Sequence, residues 1–317
     1  MKIGILILNY NGWQDTINCI KSIEKHNTYD IKYVVVDNAS PQNNDCEQIE
    51  KFFANHFVDD YVSIKEKETV ESLPKATFIK AEKNNGYSQG NNIGLNYFYG
   101  DSEVDEILLI NNDILFIDNI IPKLHKYLND IEDAAIVSPL LLKKDEKEID
   151  YNCARLEYSI NERIKYYFFR SFHASSKKDT QRRMLLSNPE LLKKDFFKID
   201  LPSGSCMLFK KELFKSIGSF DPHTFLYFEE DILHEKILRI NKNNYICPKC
   251  KCVHLGAQSI SRSPVSYATF KKTSESELYY VRHYSRANRF KKMLFEITFH
   301  YCRFYRYVTM LLKTMKS

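Results

Sequence analysis

Ile107-Leu108-Leu109-Ile110-Asn111-Asn112-Asp113 runs a β-rich apolar segment straight into an amide and acidic turn. An apolar run of this length, bounded by turn residues, predicts a buried strand. Open α/β sheets bind their ligands beyond the carboxyl ends of the strands, so Asp113 is expected at the lip of a sheet with Asn112 beside it. A polar turn that merely closes a strand is the commoner arrangement. The weight therefore rests on whether neighbouring strands end in the same way.

They do. Ile3 to Leu8 is an apolar run ending in Asn9-Tyr10-Asn11-Gly12, and Ile17, Ile20 and Ile23 follow at helical spacing. Tyr33-Val34-Val35-Val36 then ends in Asp37-Asn38-Ala39-Ser40-Pro41. Two strands joined through a helix imply a right-handed βαβ unit and a parallel sheet, which puts both polar ends on one edge. Helix-like sequence from Asp45 to Phe57 and a charged stretch from Lys65 to Pro74 lead to a third strand near Thr77 to Lys80. Next come Asn84-Asn85-Gly86-Tyr87-Ser88-Gln89-Gly90-Asn91-Asn92-Ile93-Gly94, opening a helix through Tyr99. Such a loop allows positive φ and offers helix N–H groups to an anion, although it is neither a Walker loop nor a dinucleotide fingerprint. Asn9/Asn11, Asp37/Asn38, Asn85/Gly86 and Asn112/Asp113 are thus expected to converge on one crevice. Amides with two carboxylates suit a nucleoside, its sugar hydroxyls and a divalent cation for its phosphates.

The bulk numbers set bounds. At 317 residues, with 44% hydrophobic and 27% charged residues, the chain has an ordinary globular balance that excludes wholesale disorder. The net charge of +5 is too mild to indicate nucleic acid by itself. Scattered cysteines and a first segment that reads as a strand rather than a leader predict a cytoplasmic protein with reduced thiols. No stretch approaches the ~20 apolar residues of a membrane span, so any membrane contact is expected to be peripheral.

In the second half, Leu201 to Phe209 reads as a loop and strand in which Gly204 permits close backbone approach. Glu229-Glu230-Asp231 follows the aromatic run through Tyr227 and opens a helix with Ile232, Leu233, Ile237, Leu238 and Ile240 as its apolar positions. Acids there either complement the helix dipole or supply a general base. Cys247-Pro248-Lys249-Cys250-Lys251-Cys252-Val253-His254 invites a zinc reading, but its spacing is compressed relative to structural zinc sites and zinc is disfavoured. From Arg282 to Ser317, nine Lys or Arg residues face the single acid Glu296. Phe290, Leu294, Ile297, Tyr301, Phe304, Val308 and Leu311 recur there at three- and four-residue steps. This predicts either a helix packed on the domain or in a dimer contact, or a basic amphipathic helix on an anionic membrane.

The set of motifs resembles the family 2 glycosyltransferases with a GT-A fold, in particular bacterial polysaccharide and rhamnosyltransferase-like enzymes. Asn9-Tyr10-Asn11, Val36-Asp37-Asn38-Ala39-Ser40, Asn85-Gly86-Tyr87 through Gly94, and Asn111-Asn112-Asp113 carry the resemblance in the first half. Pro202-Ser203-Gly204-Ser205-Cys206-Met207, Phe220-Asp221 and Phe225-Leu226-Tyr227-Phe228-Glu229-Glu230-Asp231 carry it in the second. It implies an α/β Rossmann-like nucleotide-sugar-binding fold with a mixed central sheet and a C-terminal helical extension. The expected parts are a nucleotide-sugar half at 1–115, an acceptor half at 116–260 and a basic amphipathic extension at 261–317.

The resemblance implies that Asp37 contacts the base or ribose of the donor, with Tyr10 and Asn85 nearby, and that Asn9, Asn11, Asn38, Gly86, Asn91 and Asn112 complete the nucleotide site. Asp113 stands at the last position of the family's D-x-D-like metal motif, although Asn111 and Asn112 leave it the only carboxylate. Mg²⁺ or Mn²⁺ is therefore expected to bind together with the donor. His254, with Gly256 and Ser259, is similar to a His-x-x-G-type segment near the diphosphate or metal. The family's base aligns with Glu230, with Asp231 and Glu229 beside it, and Gly204, Ser205 and Tyr227 fall to the acceptor. The implied activity is inverting transfer from a UDP- or dTDP-sugar to a growing surface polysaccharide, such as capsule or O-antigen, or to a lipid-linked oligosaccharide at the inner face of the plasma membrane. Two rivals stand against it: a catalytically inactive glycan- or nucleotide-binding protein, and a nucleic-acid binder using the basic tail, which leaves the first 260 residues unexplained.

Overall fold

The computed structural model describes residues 2–41, 44–170, 185–256 and 267–314. Its centre is a ten-stranded mixed sheet in the order β3-β4-β2-β1-β5-β11-β7-β12-β6, with β9 paired to β12. The left part is parallel: β3 (Tyr61–Lys65), β4 (Ala76–Lys80), β2 (Ile31–Asp37), β1 (Lys2–Asn9) and β5 (Val104–Asn111). Strand β11 (Cys206–Lys210) runs antiparallel between β5 and β7 (Ala134–Leu142), which makes the sheet mixed as expected. Long β12 (Asn243–His254) pairs in parallel with β7 and antiparallel with β6 (Ile114–Phe116) and β9 (Phe197–Ile199). Two short strands, β8 (Ala154–Arg155) and β10 (Leu201–Pro202), form a separate ladder.

Apolar continuity explains the sheet. Every residue of β2 and β7 is buried, as strands covered on both faces require. One face is covered by α1 (Trp13–His26), α2 (Asn44–His56) and α4 (Ile121–Asp130), with Ile20, Ile23, Phe53 and Leu124 fully buried. The other carries α3 (Gly86–Gly100), α7 (Lys211–Ser216) and α8 (Glu229–Arg239), with Phe98, Phe214 and Ile237 in the core. Between α4 and α7 lie α5 (Ile160–Arg170) and the single turn α6 (Pro189–Leu192). Strand β3 escapes the sequence reading because only Ile64 of its five side chains is buried, so no apolar run marks this edge strand.

The C-terminal helices α9 (Tyr267–His283) and α10 (Arg289–Thr314) pack with α5 around Tyr167, Tyr280, Val281, Phe295 and Phe299. Burying each such side chain stabilises by roughly 1.5–3 kcal/mol. The cluster includes Ile232 of α8, so the extension is docked on the helix that follows the acidic motif. The outer face of α10 is different: Phe290, Ile297 and Phe304 are 67%, 58% and 68% exposed. The apolar periodicity read from sequence is therefore this outer stripe, while Phe295, Phe299 and Cys302 make the packed face. Among the described residues no helix is long and apolar enough to cross a membrane.

Candidate active site

Strand pairing brings the polar ends together. Asn9 lies opposite Asp37, and Leu8 opposite Asn111. Asp37 is 1% exposed and accepts from Asn9 Nδ2 at 2.7 Å, from the Ser40 amide at 3.0 Å and from Ser40 Oγ at 2.6 Å. Ser40 Oγ also accepts the Asn11 amide at 2.9 Å, which holds Asn11 at a positive φ of 55°. Asp37 therefore organises the loop ends, and Tyr10 leaves its ring exposed beside them.

Asn112 is turned inward. Its amide donates to Asn9 Oδ1, the Gly12 carbonyl and Thr16 Oγ1 at 3.1–3.2 Å, so its donors tie the β5 turn to the β1 loop. Its amide hydrogens are therefore committed to the scaffold. Asn91 is likewise fully buried and donates to the Tyr87 carbonyl within its own helix. Asn38 is buried too, donating to Asn84 Oδ1 and the Gly86 carbonyl, each at 3.0 Å.

Asp113 meets His254 at the next step of the crevice. His254 Nε2 lies 3.4 Å from Asp113 Oδ2, while Nδ1 contacts Asp150 Oδ2 at 2.9 Å. The Leu255 amide donates to the Asp113 carbonyl at 3.0 Å, which pins the end of β12 to the turn after β5. Burial opposes protonation of His254, but the carboxylates of Asp113 and Asp150 outweigh it and push the imidazole up to about 9. Asp15, in the first turn of α1, is raised by its burial and by the charge of Asp113. Sequence reasoning missed both Asp15 and Asp150, since neither belongs to a strand-end motif.

Among the described residues no three His, Cys, Asp or Glu side chains form a metal-holding set. Asp113 nevertheless fits a cation that is shared with a diphosphate, and His254 would join it by giving up the proton that Asp113 and Asp150 favour. Asp113 Oδ1 is buried without a hydrogen-bond partner. The Asp150–His254–Asp113 order places a carboxylate behind the imidazole, the arrangement that orients metal-bound histidines. A site of this kind leaves the remaining coordination to phosphates and water, as Mg²⁺ sites do. The cysteine run of β12 is an interior one instead: Cys247, Cys250 and Cys252 are fully buried, and Cys247 donates to Cys250 at 3.0 Å where the β7 ladder breaks.

The N-terminus of α3 is not a free anion cradle. The Gly86 amide is taken by Asn84 Oδ1 and the Tyr87 amide by the Phe225 carbonyl, both at 2.9 Å. Gly86 has φ +86°, and a Cβ there would lie 2.0 Å from Phe225 O. The Asn85-Gly86-Tyr87 turn is thus the joint between the start of α3 and the loop entering α8. Tyr87 extends the joint, donating to the Gly204 carbonyl at 2.6 Å.

Glu230 completes this wall. Its Oε1 accepts from the Gly204 amide at 3.1 Å and stands 3.6 Å from Arg155 Nη2. Gly204 approaches Tyr87 closely, since a Cβ there would lie 2.8 Å from the Tyr87 hydroxyl and 3.4 Å from Glu230 Oε1. Ser205 joins this wall to the β5 turn, accepting the Asn111 amide at 2.9 Å on its carbonyl. Tyr227 is 40% exposed in front of it. Asp231 accepts from Arg163 Nη2 at 2.5 Å on Oδ1, an ion pair that ties it to α5. Glu229 is buried, and burial together with the charge of Glu230 lifts its carboxyl well above the usual range. Arg155 was not anticipated because β8 is two residues long and carries no motif.

Of the expected residues, the structure links Asp37, Asn9, Asn112, Asn111, Ser205, Gly204 and Glu230 edge to edge along one rim, with Asp113 and His254 on it. Ser259 lies outside the described residues. A cavity of about 630 Å³ lies elsewhere, lined by Lys32, Glu66, Tyr97, Asp101 and Glu103 near the amino ends of the strands. It shares no residue with this rim.

The polar rim lies at the carboxyl ends of β1, β2 and β5 and is flanked by the acidic start of α8, the place where open α/β sheets bind their ligands. Residues 4–218 match the family Glycosyl transferase family 2, and the chain belongs to it. The low-salt glycan biosynthesis hexosyltransferase Agl10 of Haloferax volcanii is 22% identical over 273 residues, which are 86% of this chain and 70% of Agl10. The structure of GalNAc-T7 with UDP, GalNAc and Mn²⁺ matches 94% of the chain with a TM-score of 0.58 and 13% identity. The chain spans about half, 54%, of that protein. The mannosyltransferase PcManGT from Pyrobaculum calidifontis, in complex with GDP-Man and Mn²⁺, matches 96% of this chain and 69% of its own with a TM-score of 0.55 and 13% identity. The fold is therefore GT-A, with C-terminal helices added to it.

Proposed function

We propose that the chain transfers a hexosyl or deoxyhexosyl group from a nucleotide-activated donor, UDP- or dTDP-linked, to a growing surface polysaccharide or lipid-linked oligosaccharide, with inversion. The observation that carries this reading is the separation of roles along one rim. Asp37 and its amide partners stand at the nucleoside end, Asp113 and His254 in the middle, and Glu230 at the acceptor end. Hexosyl transfer is supported by the name of the Agl10 relative, and a divalent cation by the Mn²⁺ in both structural neighbours.

In this reading Glu230 takes the proton of the acceptor hydroxyl as it attacks the anomeric carbon. The Arg155 guanidinium and the Gly204 amide hold its carboxylate in place. Mg²⁺ or Mn²⁺, held by Asp113 and His254 with the donor, would neutralise the charge that develops on the leaving diphosphate. In the same reading the exposed rings of Tyr10 and Tyr227 serve the donor nucleoside and the acceptor sugar. Glu230→Gln should abolish transfer while leaving nucleotide binding intact; full activity in that variant would sink the assignment.

The outer face of α10 supports peripheral attachment to an anionic membrane surface. Six Lys or Arg residues stand on α10 against Glu296, which is already paired with Arg282. Exposed apolar patches of this extent are uncommon on monomeric proteins and mark contact surfaces. This suits an acceptor carried on a lipid.

A further inference from the structure

Two residues in succession, Tyr227 and Phe228, adopt positive φ angles of 67° and 69° immediately before α8. Left-handed backbone costs a side-chain-bearing residue roughly 1–2 kcal/mol, and such strain persists only where the surroundings over-determine it. Around Phe228 the surroundings are a buried arginine and its partners. Arg163 of α5 is 4% exposed. It donates to Asp231 Oδ1 at 2.5 Å, to Glu277 Oε1 of α9 at 3.0 Å and to the Tyr158 carbonyl at 3.1 Å. Its guanidinium carbon also lies 5.3 Å from the Phe228 ring and 4.8 Å from the Tyr280 ring, within cation–π range.

The consequence for Glu230 is geometric. Arg163 grips Phe228 on one side of Glu229-Glu230 and Asp231 on the other. Ser276 of α9 adds a bond to the Leu226 carbonyl at 3.2 Å, and Tyr167 of α5 donates to Glu277, which fixes the clamp from behind. The planar guanidinium makes these contacts at once, which an ammonium cannot. Glu229–Asp231 and Glu277 lie beyond residue 218, where the family match ends. The clamp thus joins Arg163 of α5, inside the matched stretch, to Ser276, Glu277 and Tyr280 of α9, beyond it.

We propose that Arg163 is the positioning residue of the acceptor base: by holding Phe228 and Asp231 it fixes the strained turn that aims Glu230, and it makes α5 and α9 working parts of the active site. The inference rests on the reading of Glu230 as base. Its test uses the full-length protein and the variants R163M, R163K, E277Q and E230Q. Hydrogen exchange is followed by mass spectrometry, UDP binding with Mn²⁺ by calorimetry, and turnover as nucleoside diphosphate released from UDP-, dTDP- and GDP-sugars.

In R163M, peptides covering 225–233 should exchange faster while those of β1, β2 and β5 exchange as in wild type. UDP binding should hold, and kcat should fall about 100-fold at unchanged donor KM, the scale of a ~1 Å misplacement of a reacting group. E277Q, which keeps the acceptor oxygen but not the charge, should show the same pattern more weakly, and R163K should recover less than half of the loss. Unchanged exchange and kcat in R163M would overturn the proposal. So would faster exchange throughout the chain in both R163M and E277Q, which would reduce the clamp to general stability. Full turnover by E230Q would remove the base assignment instead, while local loosening of 225–233 in R163M would still show what Arg163 holds.

Discussion

Gly86→Ala puts the joint between the start of α3 and the loop entering α8 under direct strain. At φ +86° an alanine pays about 1–2 kcal/mol for left-handed backbone. Its Cβ would fall 2.0 Å from the Phe225 carbonyl oxygen, and that carbonyl must retreat. The retreat breaks the 2.9 Å bond from the Tyr87 amide, worth about 1 kcal/mol. The backbone shift adds about 1–3 kcal/mol of overpacking cost. A total of about 3–6 kcal/mol is expected as a lowered urea midpoint at an unchanged m-value. Because Phe225 leads into the Tyr227–Glu230 turn, transfer should fall by more than nucleotide binding does. A midpoint and a kcat both equal to wild type would refute the reasoning, by showing that the joint yields without cost.

Three further outcomes follow from particular contacts. Burial opposes ionisation of Asp221, but donors from Tyr284 (2.5 Å), the His223 amide and ring (2.8 Å each) and Tyr279 (3.2 Å) outweigh it and hold its carboxyl below the usual range. A depressed carboxyl contributes stability that is present above its unfolded pKa of about 3.9 and is lost as pH falls through the folded value. Asp221→Asn should therefore be less stable than wild type at pH 7, with the gap closing below about pH 4 in urea titrations. Gly204→Ala must displace the Tyr87 hydroxyl 2.8 Å away and crowd Glu230, so turnover should drop while UDP affinity stays; equal turnover would argue against the shared wall. Ile297→Asp with Phe304→Asp should abolish sedimentation with anionic vesicles without lowering the melting temperature, because both side chains are exposed; retained sedimentation would reject the membrane contact.

The legible part of this fold was its apolar runs. β1, β2 and β5 and their polar ends could be read because buried parallel strands are nearly continuous in apolar residues, and parallel pairing forces their carboxyl ends onto one edge. What could not be read was direction. Asn112 and Asn91 look like any other crevice amide in the sequence, yet their hydrogen bonds point inward. Gly86 reads as an anion-loop glycine, although its amide and its neighbour's are taken by Asn84 and Phe225. The pairing of Asp231 with Arg163, sixty-odd residues away, was likewise beyond what the acidic run could show. Arg155, Asp150 and Arg163 sit on short or unmarked segments, and nothing local distinguishes them from solvated charges.

The central claim is a nucleotide crevice whose middle holds a divalent cation through Asp113 and His254. Thermal shift of wild type and Asp113→Asn against UDP, dTDP, GDP and CDP, each with and without Mn²⁺, tests it most directly. A ligand at about 100 times its Kd stabilises the folded state by about 2.7 kcal/mol. The account predicts a shift with UDP or dTDP that grows with Mn²⁺ in wild type and loses its Mn²⁺-dependent part in Asp113→Asn. No shift with any of the four nucleotides, with or without Mn²⁺, would contradict it.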